Sequence, residues 1–222
     1  MWGLAYPSVL DDFAASLIQY DVNGGLLPRG PCAGGYSYIM TGCPGTSLIT
    51  SAYQKGILKK VAPEEAYRWM YKNHHDGMLG DKKSIQFYEK HGYFANNAGI
   101  TLEAAFQDWA LGQMALKLGK KKDAYHFQKR SEGWKNLYNP EKKLLFPKTE
   151  DGSSLHLDPL DGNGWVEANA WQATWSVSHG IENLAQMMGG NDSLCKKLNF
   201  AFEQAKACLL YTSDAADDTP CV

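Results

Sequence analysis

Apolar residues recur along most of the chain at three- and four-residue intervals, the period of a helix, while the alternation expected of half-buried strands is scarce. Gly and Pro cut this pattern into blocks. The first is a helix over about 8–22, with Ser8 and Asp11 as its capping pair and Gly24-Gly25 as its stop. A loop rich in Gly and Pro follows, from Gly24 to Gly45. Residues 46–55 read as a helix ended by Gly56, and Pro63 takes a favoured first-turn position in one reaching about His74. A short helix over 84–91 ends at Gly92. Thr101 then caps a helix in which Leu102, Phe106, Trp109 and Leu116 form one apolar stripe, and Leu111, Met114 and Leu118 a second. Two stripes predict burial on two sides. The next block, about 121–138, carries Phe127, Trp134 and Leu137 on one face and many Lys, Arg and Glu elsewhere, which predicts an outer helix. Buried and half-exposed helices in alternation suit two concentric rings of helices.

Residues 140–164 break the period. Leu144-Leu145-Phe146, a Glu150-Asp151-Gly152-Ser153 turn and Leu155-His156-Leu157 predict a small β-hairpin, an insertion of the kind that often carries function. Helices over about 166–178, over 181–188 closed by Gly189-Gly190, and from an Asn191 cap to about 206 complete the chain. The expected fold class is therefore all-α, with helix hairpins and one small β insertion. No short internal repeat of fixed length is visible.

With 22 basic and 24 acidic residues and neither sign in a block, a nucleic-acid or membrane-surface role has no electrostatic footprint. No apolar run approaches the roughly 18 residues of a membrane span, and residues 1–20 lack the regions of a signal peptide. Cys32, Cys43 and Cys195 are spaced for neither a zinc site nor a disulfide framework. From Cys208 the text Cys-Leu-Leu-Tyr-Thr-Ser-Asp-Ala-Ala-Asp resembles a translated transposon-type sequencing adapter. Residues 1–207 are accordingly read as one partial domain, and 208–222, with Cys208 and Cys221, as a non-native tail.

The chemistry concentrates in Trp165-Val-Glu167-Ala-Asn169-Ala-Trp171-Gln172-Ala-Thr-Trp175. Spaced i, i+4, i+8, Glu167, Trp171 and Trp175 fall on one face near the start of the expected helix. Apolar neighbours raise a carboxyl pKa toward the value a general acid needs, and a helix N-terminus pulls the other way. Indole faces suit the C–H faces of sugars, and Asn169 and Gln172 offer amide groups to hydroxyls. The competing reading is a first-turn Glu favouring the helix dipole, with the Trp residues in the core. Asp108 beside Trp109 either faces a pocket or caps a neighbouring loop. Arg29 either clamps a sugar hydroxyl or makes a structural ion pair. His74-His75-Asp76 looks like a metal cluster, but adjacent residues on a helix point apart. Asp158 and Asp161, beside Pro159 and Gly162, read as turn formers before they read as a catalytic base.

Several of these stretches, in order, resemble glycoside hydrolase family 92, the calcium-dependent exo-acting α-mannosidases. Trp165 to Trp175 is similar to the family's acid-bearing Glu-Gly-Asn-Ala-Trp-Gln motif, and Gly25-Leu-Leu-Pro28-Arg29 to its Gly-x-Leu-Pro stretch. Thr41-Gly42, Ala52-Tyr53-Gln-Lys55-Gly56-Ile57, Thr101-Leu102-Glu103, Asp108-Trp109, Leu118-Gly119-Lys120-Lys121, Arg130-Ser131 and Met188-Gly189-Gly190 continue the series over about residues 4–207. The resemblance implies an incomplete (α/α)6 barrel that removes terminal α-linked mannose from glycans with inversion. Glu167 matches the proton donor, with Asn169, Trp171 and Gln172 shaping the sugar site and Arg29 and Asp108 as further contacts. It also implies calcium, with ligands outside this stretch, an N-terminal β-sandwich packed against the barrel, and a secreted, periplasmic or cell-surface parent protein. Inversion needs a second carboxylate, roughly 6.5–9.5 Å from the first, to activate water. The family's Gly-Asn-Asp-like motif that would supply it does not occur here, so the chain alone is expected to be inactive. Ala168 replaces the usual Gly, and Gly180 stands where the family commonly has Asp. Another α-toroid glycosidase of the glucoamylase or trehalase kind, or a non-catalytic helical glycan-binding protein, are the alternatives.

Overall fold

The computed structural model describes residues 2–29, 31–32, 35–36, 42–75 and 81–205. Thr41, Asp76 and the expected tail over 208–222 lie outside them. Two compact units divide the chain, residues 1–91 with 103–132, and residues 92–102 with 133–222.

The first unit is helical apart from one short antiparallel pair. Its elements are α1 (Trp2–Ala5), α2 (Pro7–Gly24), β1 (Pro31–Cys32) paired with β2 (Gly35–Tyr36), α3 (Pro44–Gln54), α4 (Pro63–His75), α5 (Lys82–His91), most of α6 (Ala98–Lys117) and α7 (Lys121–Ser131). Starts follow local chemistry. Pro7, Pro44 and Pro63 open three helices, where the missing N–H is no loss. Asp81 Oδ1 accepts the N–H groups of Lys83 and Ser84 at 2.8 and 2.9 Å to open α5. The expected Ser8–Asp11 cap does not form: α2 begins at Pro7 without a side-chain cap. Asp11 instead accepts the N–H groups of Lys59 and Lys60 at 2.9 and 3.2 Å, tying α2 to the segment before α4. The α2 stop is as expected, with Gly25 left-handed and its N–H on the Asp21 carbonyl at 2.6 Å.

Helix α6 starts three residues before Thr101, because Asn97 Oδ1 accepts the Ile100 N–H. Thr101 sits inside it, accepting the Phe94 N–H and donating to the Asn97 carbonyl. Burial on two sides is not observed. Leu111, Met114 and four alanines are fully buried, whereas Leu116 is 53% and Trp109 36% exposed, with Trp109 stacked on Phe106. One stripe makes the core, and the other is buried at Leu102 but exposed toward Leu116.

After α7 the chain makes a tighter 3₁₀ turn, Glu132–Leu137, so the expected helix over 121–138 is two pieces; Phe127 is buried in the first unit, and Trp134 and Leu137 are buried in the second. β3 (Tyr138–Asn139) pairs antiparallel with β4 (Leu144–Leu145). The expected hairpin is thus displaced. The turn at 150–153 exists, closed by Thr149 and Ser153, but only Lys148 and Ser154 bridge across it. After the loop come α8 (Ala170–Ala173), 3₁₀ turns at Thr174–Ser176 and Ser178–Gly180, α9 (Ile181–Met188) and α10 (Asn191–Ala205). Trp134, Leu144, Phe146, Leu184 and Met188 form this unit's core. Lys143 Nζ reaches the Met188 carbonyl at 2.8 Å and closes the end of α9.

Candidate active site

The acid-bearing stretch is not the continuous helix expected over 166–178. Helix begins only at Ala170, capped by Asn169, whose Oδ1 accepts the Gln172 N–H at 3.1 Å. It lasts four residues. Thr174 then donates to the Ala170 carbonyl at 2.6 Å and accepts the Leu145 N–H at 3.0 Å, a tertiary bond that holds the helix end on β4. Glu167 therefore precedes the helix by three residues and shares no helical face with Trp171 and Trp175. Its backbone is left-handed, φ 51°, and its side chain is exposed. It lacks the apolar burial that a place on an indole face would give.

The loop carrying Glu167 is held on both sides. Gly164 takes φ 80°, and a Cβ there would meet Pro147 Cβ at 2.6 Å, so only glycine fits. Its carbonyl accepts the Ala98 N–H at 2.8 Å, and Trp165 N–H returns to the Gly162 carbonyl at 3.0 Å. Trp165 is buried on one side of Glu167 and Asn169 on the other. A left-handed L-residue costs roughly 1–2 kcal/mol.

Asn169 is fully buried, and its Oδ1 shapes the backbone by capping the helix. Trp171 tilts against Phe200, centroids 5.5 Å apart, and lies under Lys197 Nζ at 4.6 Å, so its ring is engaged by α10. Gln172 is exposed. Trp171, Gln172, Trp175, Leu198 and Phe202 line an apolar groove between α8 and α10, and Glu167 is not among its lining residues. Asp158 and Asp161 make the turns expected of them, their Oδ1 atoms accepting the N–H groups of Leu160 and Asn163. Arg29 is half-buried in the loop after α2.

In the first unit Asp108 is fully buried, at the centre of an ion cluster that sequence spacing does not reveal. Oδ1 accepts His74 Nδ1–H at 2.8 Å and Arg130 Nη2–H at 2.5 Å; Oδ2 accepts Arg130 Nε–H at 2.6 Å and the Tyr88 hydroxyl at 3.0 Å. Four donors saturate two carboxylate oxygens. The expected sugar contact by Asp108 is thus replaced by a structural role. Burial pushes the Asp108 carboxyl up, and the Arg130 guanidinium with the His74 and Arg130 hydrogen bonds brings it down to about 2. Burial lowers the His74 pKa more than Asp108 raises it, so the imidazole is neutral, donating from Nδ1 and accepting from Thr46 at Nε2, 3.0 Å away. Arg130 also pairs with Glu89. A local hint existed: Ala66, Met70 and His74 recur every four residues and all are buried.

Calcium takes six to eight oxygen ligands. Among the described residues, the one group of three His, Cys, Asp or Glu side chains with converging ligand atoms is His75, Glu89 and His126, which offers two imidazoles. That group, with its two imidazole nitrogens, does not fit calcium. None of their helices is long and apolar enough to cross a membrane.

The model of the glycosyl hydrolase family 92 catalytic domain matches residues 1–218. Among solved structures, a family 92 inverting mannosidase from Bacteroides thetaiotaomicron VPI-5482 is 28% identical, with TM-score 0.81 over 87% of this chain and 28% of that one. An α-mannosidase of the same family from Bacteroides thetaiotaomicron is 24% identical, with TM-score 0.79 over 87% of this chain and 26% of that one, and it is similar in fold. No curated protein matches. The chain thus spans just over a quarter of the length of these enzymes. Its helices are those of an incomplete (α/α)6 barrel with a small β insertion, and the glucoamylase- or trehalase-like alternative is set aside.

Proposed function

The chain belongs to glycosyl hydrolase family 92, and from that premise we propose that it supplies the acid-bearing part of an exo-α-mannosidase, with Glu167 protonating the departing glycan. The observation that carries this reading is the left-handed backbone at Glu167, which lies between the glycine-only turn at 164 and the Asn169 cap. Strain of that kind survives where a side chain must be aimed, and here it falls on the carboxylate of the family-like motif. As the acid, Glu167 holds its proton on a carboxyl oxygen and gives it to the glycosidic oxygen as the C–O bond breaks.

For inversion, a second carboxylate takes a proton from water on the opposite face of the sugar. We place that base outside the described residues. Asp108 has no free lone pair, and Asp158 and Asp161 each spend one oxygen on their own turns. Calcium belongs to the same proposal, held by other parts of the parent enzyme, which acts on mannose-bearing glycans outside the cytoplasm.

In the parent enzyme, Glu167→Gln should lower kcat on a natural mannoside by roughly 100- to 10,000-fold with little change in KM. Activity on an aryl mannoside whose leaving group needs no proton should be largely retained. Equal losses on both substrates would remove Glu167 from the acid role.

A further inference from the structure

We propose that His75, Glu89 and His126 form a binding site for a divalent transition cation of the zinc class, separate from Glu167 and from any calcium site. Each comes from a different helix of the first unit: the last residue of α4, the last turn of α5 and the middle of α7. Their ligand atoms all lie within 4.8 Å of one another. Tetrahedral ligands each about 2.1 Å from one ion stand roughly 3.4 Å apart, so the three groups draw together on binding. Side chains that are only partly buried can make that move, and they leave an entry path for the ion and room for water ligands.

The surroundings prepare these groups for a cation. His75 Nδ1 lies 2.9 Å from the Tyr71 carbonyl, which can only accept. That bond fixes the proton on Nδ1 and leaves the Nε2 lone pair free, the arrangement that orients metal-bound imidazoles. Stacking on Tyr71, centroids 4.1 Å apart, holds the ring. His126 Nε2 is shielded from solvent and makes no good hydrogen bond; Glu89 Oε1 lies 3.5 Å away. Glu89 Oε1 pairs with Arg130 from the buried side, and its Oε2 accepts nothing among the described residues. Arg130 is shared between Asp108 and Glu89, which holds the Glu89 carboxyl in place beside the two imidazoles. Two nitrogens and one carboxylate oxygen with open positions select zinc, cobalt or nickel and reject calcium.

The test is a Zn2+ titration of the 222-residue chain against a chromogenic chelator. One equivalent should bind, excess Ca2+ should not displace it, and His75→Gln and His126→Gln should each weaken binding at least about tenfold while far-ultraviolet circular dichroism stays unchanged. Independently of any variant, Co2+ bound to the unaltered chain should show ligand-field bands without thiolate charge transfer. Absence of zinc binding, unchanged affinity in both variants, or a thiolate band pointing to a cysteine such as the exposed Cys195 would each overturn the site.

Discussion

Replacing Asp108 by Ala separates a structural carboxylate from a sugar-binding one. The change removes the counter-charge of a buried guanidinium and deletes the acceptor for His74 Nδ1–H, Tyr88 O–H and two Arg130 N–H groups. Arg130 keeps Glu89, so one of its two carboxylates survives. Removing one partner of a buried ion pair costs about 3–5 kcal/mol. In a chain of this size each kcal/mol moves the thermal midpoint by roughly 2–4 °C, so Asp108→Ala should lower it by roughly 6–20 °C. The assay is thermal unfolding followed by far-ultraviolet circular dichroism at neutral pH. Pairing Asp108→Leu with Arg130→Met should recover part of the loss, because no guanidinium is then left buried without its counter-charge, although His74 Nδ1–H still lacks its acceptor. A midpoint within about 3 °C of the parent for Asp108→Ala would refute the reasoning, since it would mean that the cluster contributes less than about 1 kcal/mol.

Two further outcomes follow from the same geometry. At Gly180 (φ −132°) an added Cβ would stand 2.9 Å from the Trp134 ring, so Gly180→Ala should destabilise by about 1–3 kcal/mol, read as a lower urea midpoint with unchanged slope. Equal midpoints would show that Trp134 moves aside at no cost. The His74 pKa is lowered by burial, so its stability contribution is lost as pH falls below the ordinary value of 6.5; burial raises Asp21 to about 6, so its contribution is lost as pH rises from 3.8 through about 6. The slopes oppose each other, and urea titrations between those limits should show stability falling on acidification in Asp21→Asn and falling on alkalinisation in His74→Gln; parallel profiles would contradict the assignment.

The features legible in the sequence were those fixed within a few residues. Gly25 stops α2, Pro63 opens α4 and Gly189 closes α9 through backbone conformations that no neighbour has to impose. The helix expected over 166–178 was misread because its early end depends on Thr174 bonding to Leu145, 29 residues away. The same limit explains Asp108, whose partners lie on α4, α5 and α7 and share no spacing with it. His75 and His126 escaped notice because neighbours on a helix diverge, and the residues that join His75 are 14 and 51 positions onward. At the acid-bearing stretch, the motif located Glu167 but carried no sign of its backbone hand, since residue types alone do not fix φ at a glutamate.

That backbone hand has a consequence for anyone redesigning the molecule for robustness. A search for relaxing substitutions would nominate position 167 early, because glycine or asparagine tolerates φ 51° better than glutamate. The first gain in such a campaign would erase the group on which turnover is proposed to depend. Durability and reactivity compete at a single residue, and selection for one alone would drift away from the other.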